Sequence, residues 1–302
     1  MTLEELERLR NELKKTYLLW IVIFIVIVIL NIVVILSTKM VFLAPVSIIV
    51  GIILFAVTTN KKKRAYVLAF KDYFVLNSLK ATFTDLIYEP EKGIPRSEIA
   101  DTQMMYMGDI YSSNDFVSGK YKNIDFHQSD VHIEEEHTTT DSDGNTTTEY
   151  ITIFRGRWMV FDFNKEFKSN IQVCQKRFGN NKVGSIFSKS KYKKVEMESQ
   201  EFNKMFNVYA QSEHEAFYIL TPTLMEKITN LVNNTKGKVL LCFIDNKLHI
   251  GLYDNKDSFE PGSVFKQIDE AKVNEEINKD VKTITNFVDY LSLDNDLFRK
   301  GV

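Results

Sequence analysis

The chain is short of the residues that staple a fold together. It has two cysteines, Cys174 and Cys242, far apart and in neither a C-x-x-C pair nor zinc-ligand spacing with histidine. That pattern excludes a disulfide framework and a cysteine metal site. Both read as small buried hydrophobes, kept reduced in a cytosolic domain. An excess of one charge is missing too. The 38 basic and 40 acidic residues leave a net charge of −2, which argues against a general nucleic-acid binder. A catalytic constellation is the third absence, because no spacing of Asp, Glu, His or Ser selects a pair for acid–base or nucleophilic work.

What the chain does have is two long apolar runs. Residues 17–36 read YLLWIVIFIVIVILNIVVIL, with Asn31 the one strongly polar member, and residues 40–57 read MVFLAPVSIIVGIILFAV. At 1.5 Å per residue they span about 30 Å and about 27 Å, enough to cross a hydrocarbon core. The three residues between them make the helices antiparallel neighbours. A cleavable signal peptide would carry a shorter apolar core ending at small residues. A buried core hairpin would have to hide long, uncharged, β-branched runs. Arg8, Arg10, Lys14 and Lys15 precede the first run, and Lys61, Lys62, Lys63 and Arg64 follow the second, while Lys39 is the one basic residue between. The positive-inside rule then predicts a multi-pass protein of the cell membrane with both chain ends cytosolic. Pro45, placed some five residues into the second span, frees the Val41 carbonyl. Asn31, at matching depth, is expected to donate to that region or else to face the loop and local water.

The length suggests about two units. They are divided as a cytosolic segment over 1–16, a transmembrane hairpin over 17–60 and a cytosolic domain over 61–302. A helical period continues past the second run through Tyr66, Phe70, Tyr73 and Phe74, breaking at Glu89-Pro90 and Gly93. Pro95 opens a short helix predicted to reach Met107. Strand patterns begin near Asp115. Ile124 and Phe126 differ in parity from Val131 and Ile133, which predicts a bulge or bend. A Thr-rich hairpin turns at Asp143-Gly144, and Ile151 to Phe163 reads as a central strand. Further strands are expected at Lys193–Met197, Phe206–Tyr209, Val239–Ile244 and, after the turn at Asp245 to Lys247, through Leu248, Ile250 and Leu252. A helix opens at Thr221-Pro222 and runs to about Val232. Ile277, Val281, Ile284, Val288 and Leu291 form the seam of an amphipathic helix packed on its own sheet or a partner. The fold class is α+β, with flanking helices on a largely antiparallel sheet.

The motifs that resemble chemistry fail on detail. GNNKVGSI, residues 179–186, spaces its glycines like a phosphate loop but lacks the lysine after the second. DSDGN, residues 141–145, starts like a calcium loop, with glycine two positions early and Thr152 where the bidentate Glu belongs. His127, His132 and His137 recur every five residues, which on a strand sends neighbours to opposite faces and prevents shared ligation. His214 and His249 have no partner visible in the sequence. The strongest signal is basic: Lys176, Arg177, Lys182, Lys189, Lys191, Lys193 and Lys194 lie in a stretch with no acid between Lys176 and Val195. Such a run is either an ordinary solvated loop or a contact with an anionic membrane surface. Without a base-stacking motif it does not point to nucleic acid.

FRGRWMVFDFNKEF at 154–167 and EFNKMFNVYAQSEHEAFYILTPTLMEKI at 201–228 resemble a bacterial family catalogued as domain of unknown function 3137, with SGKY at 118–121 fitting the same pattern and the likeness running over residues 100 to 255. The resemblance implies a membrane protein with an N-terminal helical hairpin. It brings no enzyme activity, cofactor or catalytic residue. It also implies an assembly with LemA-like membrane proteins, near which members are encoded. The function expected is a non-enzymatic, membrane-anchored scaffold or adaptor without cofactors, with a lipid bilayer and a membrane protein as partners and no nucleic acid. The alternative is a membrane-tethered enzyme or sensor that takes an anionic lipid or metabolite on the basic loop. A deep polar pocket would favour the enzyme, and an exposed apolar groove the module.

Overall fold

Helix α1 (Leu3–Thr38) opens a computed structural model that describes residues 1–38, 43–162, 167–176, 178 and 192–291. The chain divides into two units: Met1–Ser78 with Phe259–Ile277, and Leu79–Ser258 with the remainder from Asn278.

The first unit is built on α1 and the antiparallel α2 (Leu43–Phe70), followed by a π-helical turn at Lys71–Val75 and the start of α3 (Leu76–Thr82). Three hydrogen-bonded residue pairs join α1 and α2 among the described residues. Asn31 Nδ2 donates to Ser47 Oγ at 2.8 Å, Trp20 Nε1 to Thr58 Oγ1 at 2.8 Å, and Lys62 Nζ to Thr16 Oγ1 at 2.8 Å. Gly51 lies at the crossing, where a Cβ would come 3.2 Å from side-chain atoms of both Phe24 and Ile27, a close approach of the kind small residues permit between apolar helices. Both helices are long and apolar enough to cross a membrane. Their large apolar side chains face outward, from Leu18 to Leu36 on α1 and from Val46 to Val57 on α2. A soluble core helix hides such residues.

The structure revises the expectation for Asn31. Its amide binds Ser47 and the Ile27 carbonyl, whereas Val41 lies outside the described residues. Pro45 lies near the start of the described part of α2 (Leu43–Phe70).

Before the apolar belt, α1 is amphipathic, with Leu6 and Leu13 fully buried. The returning segment Phe259–Ile277 is fastened to this part. Arg10 Nη1 donates to the Val264 carbonyl at 2.7 Å, Glu7 accepts the Ile268 N–H at 2.9 Å and Lys71 pairs with Glu260 at 2.5 Å. Arg10 is itself paired with Glu7 at 2.8 Å, so its buried charge has both an ionic and a carbonyl partner.

The second unit is a nine-stranded antiparallel sheet among the described residues, in the order β1-β2-β3-β4-β9-β8-β5-β7-β6. Its strands are β1 (Thr84–Glu89), β2 (Ile110–Tyr121), β3 (Ile124–Thr140), β4 (Thr146–Asp162), β5 (Ile171–Gln175), β6 (Lys193–Val195), β7 (Phe206–Ala210), β8 (Lys238–Ile244) and β9 (Lys247–Tyr253). Among the described residues, short helices join them: α4 (Arg96–Asp101), α5 (Gln200–Met205), α6 (Glu213–Ile219) and α7 (Pro222–Asn233). The last helix, α8 (Glu270–Leu291), begins in the first unit and ends in the second. The sheet and its helices bear out the α+β reading.

Phe154 and Trp158 of β4 sit at the centre of the core, among Ile133, Met104, Leu240 and Cys242. Gly251 of β9 pairs with Trp158, and a Cβ there would meet the indole at 2.7 Å. Burial raises both cysteine thiols far above their ordinary range, in keeping with inert core side chains. The bulge expected within β3 lies in its neighbour instead: Asn114 pairs with Asp130 and Val117 with Gln128, so Asp115 and Phe116 of β2 together oppose Ser129, while β3 pairs with β4 without a break from Phe126 to Ile133 and the two apolar pairs face opposite sides of the sheet. Thr221 caps α7 by accepting the Leu224 N–H at 3.3 Å. Along α8, Val281, Ile284, Val288 and Leu291 are buried, and Arg157 of β4 donates to the Asp280 carbonyl at 2.6 Å, which lays this stretch on its own sheet.

Several boundaries differ from the sequence reading. The strand begins at Ile110 instead of Asp115, and α4 stops at Asp101 instead of reaching Met107. Gln103, with φ +51°, has left the helical region. The sequence reading missed β1, β5, α5 and α6.

Candidate functional site

Titratable side chains from three elements meet in an open cleft of about 540 Å³ on the second unit. Strand β3 contributes His127. Helix α4 contributes Glu98, placed in its first turn by Pro95. The β8–β9 turn, tightened by Asp245 at φ +53°, contributes Lys247, with His249 two residues along.

Glu98 organises the group. Its Oε1 lies 2.8 Å from His127 Nε2 and 3.8 Å from Lys247 Nζ. The hydrogen bond from His127 holds the Glu98 carboxyl below its usual range, against the opposing pull of burial. His249 has a hydrophobic environment instead. Its Nδ1 accepts from the buried Trp158 indole at 3.3 Å, and burial pushes its pKa down to about 4. Near neutral pH the cleft therefore presents the ionised Glu98 carboxylate and the neutral His249 imidazole, with Asp101, Asp245 and Lys247 also in its lining. A proton-transfer catalyst works best with a pKa near its operating pH, and Glu98 and His249 are both tuned away from it.

The sequence marked His127 and His249 but paired them with nothing. Glu98 and Lys247 came into view only through the sheet order, which sets β3, α4 and the β8–β9 turn side by side. The other histidines of the five-residue series stay apart, His132 with Glu134 at 3.4 Å and His137 with Glu135 at 3.0 Å. DSDGN forms the hairpin turn, where the Asp141 carboxylate accepts the N–H groups of Asp143 and Asn145.

The basic stretch is only partly visible. Arg177, Lys182, Lys189 and Lys191 lie outside the described residues, as does the GNNKVGSI segment. Lys176 is held by the Asn203 carbonyl. Lys193 and Lys194 are exposed on β6, an edge strand of the sheet. Lysines on an edge also serve to block strand-to-strand aggregation.

A second open cleft, of about 520 Å³, lies between α5 and α7 and carries Glu198, Glu201 and Glu226. Neither cleft is the apolar groove expected of an interaction module. The β3–β4 hairpin offers a different surface. Six residue pairs, from Glu135 with Ile151 to Thr140 with Thr146, extend beyond the last rung shared with β2, Ile110 with Glu134. They form a ribbon about 20 Å long, with Tyr150 and Ile151 exposed.

Residues 152–293 match the model of the family described as "Protein of unknown function (DUF3137)". The match holds both longer motifs and excludes Ser118 to Tyr121; it spans β4 to α8, leaving β1, β2 and β3 outside. No curated protein matches the chain. Among solved structures, the mycobacterial trehalose monomycolate transport factor A, TtfA, is similar at a TM-score of 0.39 and 10% identity, over 75% of this chain and 94% of that one. A likeness at that level carries no argument about function.

Proposed function

We propose that this chain, a member of the DUF3137 family through residues 152–293, is a membrane-anchored, non-enzymatic interaction module. The α1–α2 hairpin would cross the bilayer twice, with both chain ends and the sheet unit in the cytosol. The observation that carries this is the outward-facing apolar belt over 18–36 and 46–57. Its basic flanks set the orientation, and Trp20 lies toward the basic end, as aromatic side chains do at interfaces.

On the sheet unit, the ribbon supports an interaction role. Beyond Glu136, whose N–H is taken by Asp109 Oδ2 at 2.9 Å, its two strands pair with each other and no third strand runs alongside among the described residues, a geometry that supports strand addition by a partner. A membrane protein of the LemA-like kind is the partner we propose, from the family resemblance.

The Glu98–His127–Lys247 cleft favours a second reading, a membrane-tethered ligand sensor. Its lining, with Glu98, Asp101 and Asp245 beside Lys247, suits a polar ligand bearing positive charge better than an anionic lipid. A photo-crosslinking residue at Tyr150 or at Asn246, introduced into the full chain in native membranes, separates the two. The module reading expects a discrete protein adduct from Tyr150. A small-molecule adduct at Asn246, with none at Tyr150, would replace it with the sensor reading.

A further inference from the structure

We infer that Asp115, Asp130 and Asp257 form a divalent-cation site in the second unit, with calcium the ion that fits best. The bulge in β2 turns Asp115, at φ +56°, into the fold beside Asp130 of β3, and the loop after β9 brings up Asp257. One carboxylate oxygen from each residue lies within 4.8 Å of the other two. Three carboxylates on one ion suit calcium, which takes six to eight oxygens in flexible geometry, better than magnesium, which keeps several waters and usually one or two carboxylates.

Acidic residues gather on many protein surfaces without an ion. This group differs because Asp115 is fully buried and Asp130 has 4% exposure. Asp115 accepts from Tyr88 Oη at 2.5 Å and Asn114 Nδ2 at 2.8 Å, and the same amide reaches Asp257 at 3.5 Å. Asp130 Oδ2 accepts the Ser258 N–H at 2.6 Å. The remaining oxygen, Asp130 Oδ1, is buried and accepts no hydrogen bond. Arg157 Nε approaches it only to 3.9 Å, and Arg157 is shared with Asp280 at 3.5 Å and Ser258 Oγ at 2.5 Å. A buried carboxylate oxygen with no donor is costly, and a hard cation would satisfy it. Asp257, exposed, gives the ion a way in.

Terbium luminescence on the full chain in non-ionic detergent tests the site, because Tyr88 lies against Asp115 and would sensitise a bound lanthanide. We expect tyrosine-excited emission that saturates at one ion per chain and is displaced by calcium at least tenfold more effectively than by magnesium. Asp257→Asn, an exposed substitution, should weaken terbium binding at least tenfold while the ion-free melting temperature stays put. Asp143→Asn in the hairpin turn should bind like the parent. Calorimetric melting with and without calcium gives an independent readout, with a rise expected for the parent chain and Asp143→Asn and none for Asp257→Asn. Absent or unsaturable emission, magnesium displacing as well as calcium, or Asp257→Asn binding like the parent would overturn the proposal.

Discussion

Asn31 and Ser47 meet across the two apolar helices, with the Asn31 amide donating to the Ser47 hydroxyl at 2.8 Å. In an apolar surrounding few other partners compete for those groups, so the pair fixes the register of the hairpin. Asn31→Leu and Ser47→Ala should each destabilise it by about 0.6–1.7 kcal/mol, and the double variant should lose less than the sum. Unfolding in bicelles or mixed micelles measures this; strictly additive losses would show that the two residues are not coupled.

Gly251 gives the second prediction. Its Cα faces the Trp158 indole, so Gly251→Ala forces the sheet core apart. A loss of about 1–3 kcal/mol is expected, read as a lower thermal midpoint of the full chain. An unchanged midpoint would mean that the indole shifts freely.

The pH dependence follows from His249. The folded chain keeps this imidazole neutral down to about pH 4, against the ordinary 6.5. Between those values the unfolded chain binds more protons, so this group's contribution is intact above pH 6.5 and declines as the pH falls toward 4. The full window corresponds to about 3 kcal/mol at 1.36 kcal/mol per pH unit. His249→Gln should remove this part of the slope, seen in chemical denaturation at pH 7, 6, 5 and 4. A parent and variant with parallel profiles would contradict the assignment.

Lys193 and Lys194 make the edge of β6 unattractive to other strands. Replacing both with Thr should raise the fraction of large species in size-exclusion chromatography at high protein concentration. If the double variant stays as dispersed as the parent, edge protection is not their role.

The features legible in the sequence are those that local chemistry dictates. The apolar runs, the Thr221-Pro222 helix start, the Asp143-Gly144 hairpin and the seam of α8 each follow from a period or a turn residue. What escaped depends on distant pairing. Strand β5 is only five residues long and shows little pattern of its own; it is a strand because β7 and β8 flank it. The Glu98–His127 pair and the Asp115–Asp130–Asp257 group escaped for the same reason. Their members are scattered through the chain, and sheet register alone brings them together.

The anchoring claim is tested most directly by matched fusions after Val302, expressed in a bacterial host with the full chain: green fluorescent protein, which folds in the cytosol, and alkaline phosphatase, which is active only outside it. Two crossings with basic flanks inside predict a fluorescent, membrane-bound first fusion and an inactive second. An active phosphatase fusion would contradict the account.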